Sequence, residues 1–327
     1  MEHLAEVRNL KKYYPAKKKL FKERQYVKAV DDVSFYIDKG ETFGVVGESG
    51  CGKSTLCKTM IRLIEPTDGS VLFNGKDIAT LSPEEMRLMR QHIQIIFQDP
   101  YASLNPRMTV RELIKAPLDI FSDASEDEKM EEVFSAMELV GLNREFMNKY
   151  PHEFSGGQRQ RIMIARALIL RPEFVCCDEP VSALDVSVRA QVLNLMKDLQ
   201  EKLSLTYLFI SHDLSVVRYL CDRIAVMYLG RIVEIAEKDE LYDNTFHPYT
   251  KCLISSIPIP DPDVKKHAMI LEGDVPSPYN PPSGCHFHTR CPYATKECSE
   301  RYPELREIVP GHSVACHFAE KIREERA

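Results

Sequence analysis

The sequence has no long apolar run and no excess of basic residues, and these absences narrow the classes of protein it encodes. No stretch of about eighteen uncharged apolar residues is present, so the chain is not expected to cross a membrane by itself. The formal net charge is −6, which argues against nucleic acid as the main partner because binding phosphates needs a basic excess. The first residues carry charges where a secretory signal would be apolar, so we expect a cytoplasmic protein.

Ten residues are cysteines, and four of them lie in the last part of the chain. The chain is far longer than the small secreted domains that disulfides hold together. In a reducing cytoplasm, clustered cysteines point instead to a metal or metal-cluster site. The four candidate ligands are Cys285, Cys291, Cys298 and Cys316. The other six cysteines are scattered, and we expect them to pack as small apolar residues.

Short apolar runs alternate with helical patterns between residue 28 and about residue 230. The runs predicted as buried strands are TFGVVG (42–47), IQIIF (93–97), FVCCDE (174–179), TYLFISHD (206–213) and RIAVMYLG (223–230). The patterns predicted as helices are KSTLCKTMIRLI (53–64), SVRAQVLNLMKDLQEKL (187–203) and LSVVRYLC (214–221). Such alternation predicts an α/β fold with a mainly parallel sheet.

Two stretches depart from this alternation. Residues at about 100–160 carry helical patterns and no convincing strand, so we predict a helical subdomain inserted into the α/β core. After about residue 245 the periodicity fades, and seven prolines fall between 258 and 282, which is typical of linkers and loops. We therefore divide the chain into an α/β domain at 1–245 and a loop-rich, cysteine-bearing appendage at 246–327.

The segment GESGCGKST lies between a predicted strand and a predicted helix. It fits the phosphate-binding pattern G-x-x-x-x-G-K-[ST], whose glycines let backbone N–H groups turn toward the phosphates. The helix N-terminus adds a dipole that favours an anion. We expect Lys53 to reach the β- and γ-phosphates of ATP, and the Ser54 hydroxyl to ligate Mg²⁺. The predicted nucleotide-binding residues of this loop are Gly47, Ser49, Gly50, Cys51, Gly52, Lys53, Ser54 and Thr55.

The run FVCCDE ends in two carboxylates, Asp178 and Glu179. Beside a phosphate-binding loop, we expect Asp178 to hold the Mg²⁺ shell and Glu179 to position and activate the attacking water. The alternative is that the two acids cap the following helix. His212 ends another apolar run, and a histidine at a strand end is, taken alone, more often structural than catalytic.

The segment FSGGQRQR (154–161) resembles the signature motif of ABC-type ATPases, normally LSGGQ, with Phe154 in place of leucine. At the start of a helix, Ser155, Gly156 and Gly157 form an anion-binding terminus. The resemblance implies that this terminus meets the γ-phosphate of an ATP held by the opposite subunit. Two subunits would then close over two nucleotides.

The same resemblance assigns roles to further residues. Gln98 resembles the glutamine that touches Mg²⁺ and the attacking water, and His212 resembles the histidine that reaches the γ-phosphate. The segment SALD, which ends at Asp185, resembles the loop that crosses the dimer interface. Gln158 and Asp185 are then expected to act on the partner's nucleotide.

An aromatic residue before the phosphate loop is expected to stack on adenine. Tyr14 is our assignment. A basic insertion at 17–24 makes its distance in sequence to Gly47 longer than is usual in the family, so Tyr13 and Tyr26 are the alternatives.

The segments YASLNPR (101–107) and HPYTKCLISSIP (247–258), together with the cysteine-bearing tail, resemble ATPase subunits of dipeptide and oligopeptide ABC importers. YASLNPR and the long N-terminal insertion resemble more closely the second of the two non-identical ATPases of those importers. The resemblance implies a peripheral motor on the cytoplasmic face of the membrane. Its partners would be a sister ATPase, two transmembrane permease subunits and, indirectly, a peptide-binding protein. The alternatives are a nickel complex or an oligosaccharide as cargo, a soluble ABC ATPase without a transport role, and an iron–sulfur redox protein with a regulatory ATPase.

The tail cysteines follow the spacing C-x5-C-x6-C-x17-C. Structural zinc sites usually contain at least one pair of cysteines with two to four residues between them, and this tail has none. Four thiolates on loops suit a [4Fe–4S] cluster, although the spacing differs from that of ferredoxins, and the resemblance to peptide importers favours it. Zinc and free or disulfide-bonded thiols are the alternatives. The expected role of the metal is to order a proline-rich segment with little core.

Overall fold

The computed structural model describes residues 3–16, 25–257 and 273–324. The basic insertion at 17–24 and the prolines at 258, 260 and 262 lie outside those residues. None of the helices in the described ranges is both long and apolar enough to cross a bilayer.

Strands and helices alternate along much of the described chain. The strands are β1 (Ala5–Pro15), β2 (Tyr26–Ile37), β3 (Thr42–Val46), β4 (Asp68–Phe73), β5 (Lys76–Asp77), β6 (Ile93–Ile96), β7 (Phe174–Asp178), β8 (Thr206–Ile210), β9 (Arg223–Tyr228), β10 (Arg231–Glu237), β11 (Arg306–Val309) and β12 (His312–Val314). The helices are α1 (Lys53–Met60), α2 (Pro83–Met89), α3 (Pro100–Ser103), α4 (Val110–Phe121), α5 (Glu126–Leu139), α6 (Gly156–Leu168), α7 (Val186–Leu203), α8 (Leu214–Leu220), α9 (Lys238–Asp243), α10 (Pro248–Ser255), α11 (Lys296–Glu300) and α12 (Ala319–Glu324). Short 3₁₀ turns lie at Arg144–Asn148, Pro151–Glu153 and His288–Arg290.

The chain divides into two compact units. The first unit comprises Met1–Ile37, Thr42–Ala79 and Ser211–Ala327, and the second comprises Asp38–Glu41 and Thr80–Ile210. The predicted phosphate loop, His212 and the tail belong to the first unit. Asp178, Glu179, Gln98 and the signature segment belong to the second.

The first unit contains an antiparallel sheet in the order β2-β1-β4-β5 and a second run of strands in the order β11-β12-β10-β9-β3. In the second run β3 and β9 are parallel, whereas β10 pairs antiparallel with both β9 and β12. In the second unit β6, β7 and β8 are parallel neighbours, with β7 in the middle. All five predicted strands are confirmed.

The predicted strands were recognisable because parallel strands are covered on both faces and therefore read as continuous apolar runs. Every residue of β3, β7 and β8 is buried. Between residues 100 and 155 the described chain forms helices and 3₁₀ turns without a strand, so the prediction of helices there is confirmed. Capping boxes at the starts of α4 and α5 (Thr109 with Glu112, Ser125 with Glu128) account for where those helices begin.

The tail differs from the expected loop-built segment with little core. Strands β11 and β12 pair with each other, and β12 pairs with β10. A small apolar core joins the segment after α9 to the end of the tail. Its buried members are Phe246, Val314, Cys316, Ala319 and Ile322. The tail is therefore ordered by a sheet edge and a core of its own as well as by loops.

Candidate nucleotide-binding site

The phosphate loop connects β3 to α1. At two of its positions, Gly47 and Gly52, any residue other than glycine would clash with neighbouring backbone. Gly52 has φ 113°, and a Cβ there would lie 2.0 Å from the carbonyl oxygen of Ala29. A Cβ on Gly47 would lie 2.2 Å from the carbonyl oxygen of Met227. The backbone of the loop therefore packs directly against neighbouring backbone, which holds its course without side chains.

Lys53 is the first residue of α1 and is buried, with 4% of its surface exposed. Its Nζ donates hydrogen bonds to the carbonyl oxygens of Gly47 at 2.8 Å and Glu48 at 3.1 Å. The ammonium group is therefore enclosed by the loop it belongs to, in the arrangement needed to meet a phosphate held by that loop. Burial raises the pKa of the Cys51 thiol, which keeps this thiol neutral.

The remaining predicted loop residues lie where a nucleotide can reach them. Ser49 and Gly50 are exposed at the turn of the loop, whereas Ser54 and Thr55 are half-buried in the first turn of α1. The helix N-terminus adds backbone N–H groups and a favourable dipole beside the loop. This part of the first unit is suited to hold a polyphosphate.

In the second unit the structure brings Gln98 and Glu179 together. Asp178 ends β7 and is 2% exposed, and Glu179 follows it with φ 48° in the left-handed region. Gln98 lies just beyond the end of β6, the parallel neighbour of β7. Its Nε2 donates to Glu179 Oε2 at 3.2 Å. An amide and a carboxylate at this distance are placed to position one water molecule between them and a substrate.

The signature segment starts α6 through a capping box. Ser155 Oγ accepts from the Gln158 N–H at 3.4 Å, and Gln158 Oε1 accepts from the Ser155 N–H at 3.1 Å. A Cβ on Gly157 would lie 2.3 Å from Val188 Cγ1, so glycine permits the close approach of α6 and α7. Gly156 follows the cap and is half-buried.

The segment before α7 presents its polar and apolar side chains outward. Asp185 is the N-cap residue of α7, is exposed and makes no side-chain capping bond. The next residue, Val186, is 80% exposed. Together with the exposed Ser155, these residues give the second unit a surface of mixed character.

The histidine and the aromatic candidates lie in the first unit. His212 is exposed and lies between β8 and α8. Tyr14 lies opposite Val27 in the β1–β2 pair, with Lys12 Nζ 5.2 Å from its ring centre. The hydroxyl of Tyr13 donates to Asp31, whereas Tyr26 is 44% exposed. The bond to Asp31 ties Tyr13 into the fold, and the assignment of the adenine-stacking residue to Tyr14 stays a prediction.

Sequence reasoning missed the contacts that two residues from the C-terminal region, Tyr249 and Arg290, make with Glu48 of the phosphate loop. Glu48 lies within the loop, and its carboxylate accepts two hydrogen bonds from the Arg290 guanidinium, at 2.9 and 3.3 Å. The Glu48 N–H donates to the Tyr249 hydroxyl at 2.9 Å. The HPYT segment carried a partial signal, since His247 caps α10 and thereby places Tyr249 in its first turn. Nothing in the sequence around Arg290 pointed to the loop.

The prediction of a metal site at the tail cysteines is not supported by the geometry. In the ranges that the structure describes, no group of three or more His, Cys, Asp or Glu side chains is arranged to hold a metal ion. All four thiols are free. Two of the sulfurs contact local groups instead: Cys316 Sγ accepts from the Phe318 N–H at 3.4 Å, and Cys298 Sγ lies 3.8 Å from Thr295 Oγ1.

The thiols nevertheless influence one another. Burial, with a further contribution from the neighbouring thiols, raises the pKa of Cys285 and Cys291 to about 11 and that of Cys316 to about 12. The chemistry of four grouped thiols fits a metal centre, but binding one would require the sulfurs to move together from these positions.

Comparison with known proteins identifies the family. Residues 30–182 match the family described as ABC transporter, and residues 233–298 match the oligopeptide/dipeptide transporter, C-terminal region. The oligopeptide transport ATP-binding protein AppF of Bacillus subtilis is 56% identical over 321 residues, covering 97% of this chain and 98% of the relative. The chain belongs to the oligopeptide and dipeptide branch of the ABC transporter ATP-binding proteins.

Other relatives of this ABC ATPase agree. The dipeptide transport ATP-binding protein DppF of Haemophilus influenzae is 52% identical over 307 residues, covering 94% of each chain. Among solved structures, the ATP-binding cassette MJ0796, described as a dimer in a post-hydrolysis state with ADP and Pi, matches with a TM-score of 0.63 and 30% identity over 72% of this chain and 98% of that one. The predicted P-loop ABC fold and the ATPase activity are therefore established at the level of the family.

Proposed function

We propose that this ABC ATPase powers the import of dipeptides or oligopeptides. The observation that carries the proposal is the match of residues 233–298 to the C-terminal region of oligopeptide and dipeptide transporters, on a chain whose phosphate loop also encloses the Lys53 ammonium group. AppF and DppF, which are similar over nearly the whole chain, are named for transport of these same substrates. ATP binding would close a dimer of ATPase subunits, and hydrolysis would reopen it to drive alternating access in the membrane subunits.

The chemistry is in-line attack of water on the γ-phosphate of ATP. Lys53 would stabilise the charge on the β- and γ-phosphates, and Ser54 and Asp178 would hold Mg²⁺. Glu179 would accept the proton of the attacking water, and its 3.2 Å contact with Gln98 supports a shared role in holding that water. His212, which is exposed, would steady the γ-phosphate.

Three kinds of partner follow from this role. A sister ATPase would receive the signature segment, and the exposed Ser155, Asp185 and Val186 support a binding surface there. Two permease subunits would hold the chain at the cytoplasmic face of the membrane, and a peptide-binding protein would deliver cargo to them. We infer that the boundary between motor and tail lies near residue 245, between α9 and α10.

Uptake by a reconstituted importer tests the cargo. The chain, a sister ATPase and two permeases are reconstituted into proteoliposomes with the ATPase subunits and ATP in the vesicle lumen. The binding protein is added outside. Labelled dipeptide, oligopeptide, nickel complex and oligosaccharide are offered in turn. Peptide uptake that disappears with Glu179→Gln supports the proposal. Uptake of the nickel complex or sugar alone would assign another cargo, and hydrolysis without any uptake would favour an ATPase outside transport.

We also propose that Cys285, Cys291, Cys298 and Cys316 take up a [4Fe–4S] cluster, with zinc as the alternative. What supports this is the presence of four free cysteines in one segment of the tail, because thiols release their protons when they bind a metal and four thiolates are the usual ligands of such a cluster. The test is anaerobic purification followed by iron, acid-labile sulfide and zinc analysis. About four irons and four sulfides per chain, lost on Cys→Ser change at any of the four positions, are expected. Stoichiometric zinc or no metal would refute the cluster.

A further inference from the structure

An acidic side chain lies inside the phosphate loop, where it is unfavourable for binding a polyphosphate. Glu48 follows Gly47 directly, and Lys53 Nζ donates to its carbonyl oxygen at 3.1 Å. Glu48 is part of the loop that would hold the phosphates, and an unpaired carboxylate in that loop would repel them, with weak screening where water is partly excluded. A loop that binds ATP therefore needs Glu48 to be neutralised and held away from the nucleotide.

The tail supplies that neutralising charge. Arg290 makes a two-pronged ion pair with the Glu48 carboxylate, using Nη1 to Oε2 at 2.9 Å and Nη2 to Oε1 at 3.3 Å. The Arg290 side chain is 6% exposed and that of Glu48 26% exposed. A paired guanidinium and carboxylate in this setting form a strong, directional contact rather than a solvated surface pair.

The backbone of Glu48 is also held by the region after β10. The Tyr249 hydroxyl accepts from the Glu48 N–H at 2.9 Å. The Tyr249 ring is fully buried and packs 5.4 Å from the ring of Phe287, which lies three residues before Arg290. Phe287 in turn lies 5.3 Å from Tyr228 at the end of β9. Of the two residues that contact Glu48, Tyr249 belongs to this buried aromatic cluster, and Arg290 follows its member Phe287 by three residues.

We propose that Arg290 and Tyr249 are positioning residues of the phosphate loop, through which the C-terminal region sets the affinity for ATP. The proposal rests on ATP binding at this loop and goes beyond it by making that binding depend on the tail. The C-terminal region is then part of the nucleotide site and not only a mark of the transporter branch.

The test measures ATP and ADP affinities of the full chain by titration calorimetry for four proteins: wild type, Arg290→Met, Glu48→Gln and the double variant. Arg290→Met leaves an unpaired carboxylate beside the phosphates, so ATP binding is expected to weaken about tenfold, and ADP binding less. Adding Glu48→Gln removes that carboxylate and is expected to restore affinity to within about twofold of Glu48→Gln alone. Only a charge effect exerted through Glu48 is rescued in this way.

The matched control is Arg306→Met, which removes another arginine–carboxylate pair of the tail, to Glu320 at 2.7 Å on the surface. It is expected to leave ATP affinity unchanged. Tyr249→Phe keeps the ring packing and deletes only the acceptor of the Glu48 N–H, so a loss of ATP affinity is expected while the chain stays folded, with thermal unfolding lowered by no more than the loss of one hydrogen bond. Wild-type ATP affinity in Arg290→Met, or a loss that persists in the double variant, would overturn the inference. Failure of the wild type to bind ATP would overturn the proposed nucleotide site itself.

Discussion

Replacement of Glu234 offers a quantitative test of what holds the tail to the rest of the first unit. Glu234 lies in β10, is fully buried and accepts three hydrogen bonds on Oε1: from the Phe246 N–H at 2.7 Å, the His247 N–H at 3.2 Å and His312 Nε2 at 2.9 Å. Its side chain therefore joins the sheet to the segment after α9 and to β12.

The Glu234→Ala change leaves three buried donors without their acceptor. Each lost acceptor costs about 1–3 kcal/mol, and water entering the space recovers part of it, so the expected destabilisation of the tail is about 4 kcal/mol. Glu234→Gln keeps an oxygen at the position of Oε1 and is expected to cost only about 1–2 kcal/mol. Glu234→Gln removes the charge and keeps the acceptor oxygen, whereas Glu234→Ala removes both. The difference between their destabilisations therefore measures the contribution of the hydrogen bonds.

Hydrogen exchange followed by mass spectrometry reads this effect locally. About 4 kcal/mol corresponds to an exchange rate roughly a thousandfold faster for amides protected by the tail's docking, in peptides covering Phe246, His247 and β12. The matched control is Glu237→Ala, at the exposed end of the same strand, which is expected to leave these rates unchanged. Acceleration of less than about tenfold in Glu234→Ala would show that this network does not hold the tail, and the reasoning would be wrong.

Three further changes address the site and its surroundings. Glu179→Gln should keep ATP binding while phosphate release in the complete importer falls by about a hundredfold or more; a near-normal rate would contradict the assignment of Glu179 as the base. Gly52→Ala places a Cβ 2.0 Å from the Ala29 carbonyl oxygen at φ 113° and should abolish measurable ATP binding, whereas Gly50→Ala, with no atom within 4 Å of the added Cβ, should weaken it less. Burial lowers the pKa of His247 from 6.5 to about 4, so the unfolded chain takes up a proton first as pH falls. Above about pH 6.5 His247 is neutral in both the folded and the unfolded chain and does not change the free energy of unfolding. Between pH 6.5 and pH 4 only the unfolded chain binds the proton, so the free energy of unfolding falls by roughly 3 kcal/mol. His247→Asn keeps an acceptor for the Tyr249 N–H without titrating there, so its unfolding free energy should fall less steeply over that range; identical slopes would refute this.

How far the fold was predictable depended on how each strand is buried. Strands β3, β7 and β8 are covered on both faces and are apolar throughout, which made them visible in the sequence. Strands β1 and β2 are partly exposed and carry charged residues along their length, and the antiparallel sheet they form was missed. The short β11 and β12 were missed because their pairing depends on the neighbouring edge of β10, not on a pattern of their own.

The parts of the site were predictable where their residues lie close together in sequence, and not where they lie far apart. The phosphate loop was predictable because its chemistry lies within nine consecutive residues, and the structure encloses Lys53 as that motif requires. The contact between Gln98 and Glu179 spans 81 residues of sequence, and only the resemblance to a family suggested their common role. The contacts of Glu48 with Tyr249 and Arg290 span 201 and 242 residues, and no local pattern announces them.

These long-range contacts give a physical meaning to the HPY segment. His247 uses Nδ1 to accept from the Tyr249 N–H at 3.1 Å, and Pro248 occupies the first turn of α10 where its missing N–H costs nothing. The cap and the proline together begin the helix at the point that directs the Tyr249 hydroxyl to the Glu48 N–H. Glu234 accepts from the His247 N–H at 3.2 Å and thereby links this helix start to β10 and, through His312, to the end of the tail. A change anywhere along this chain of contacts therefore reaches the phosphate loop through Tyr249. For this reason we expect Glu234→Ala to weaken ATP binding as well as tail docking, and Glu234→Gln to weaken both less.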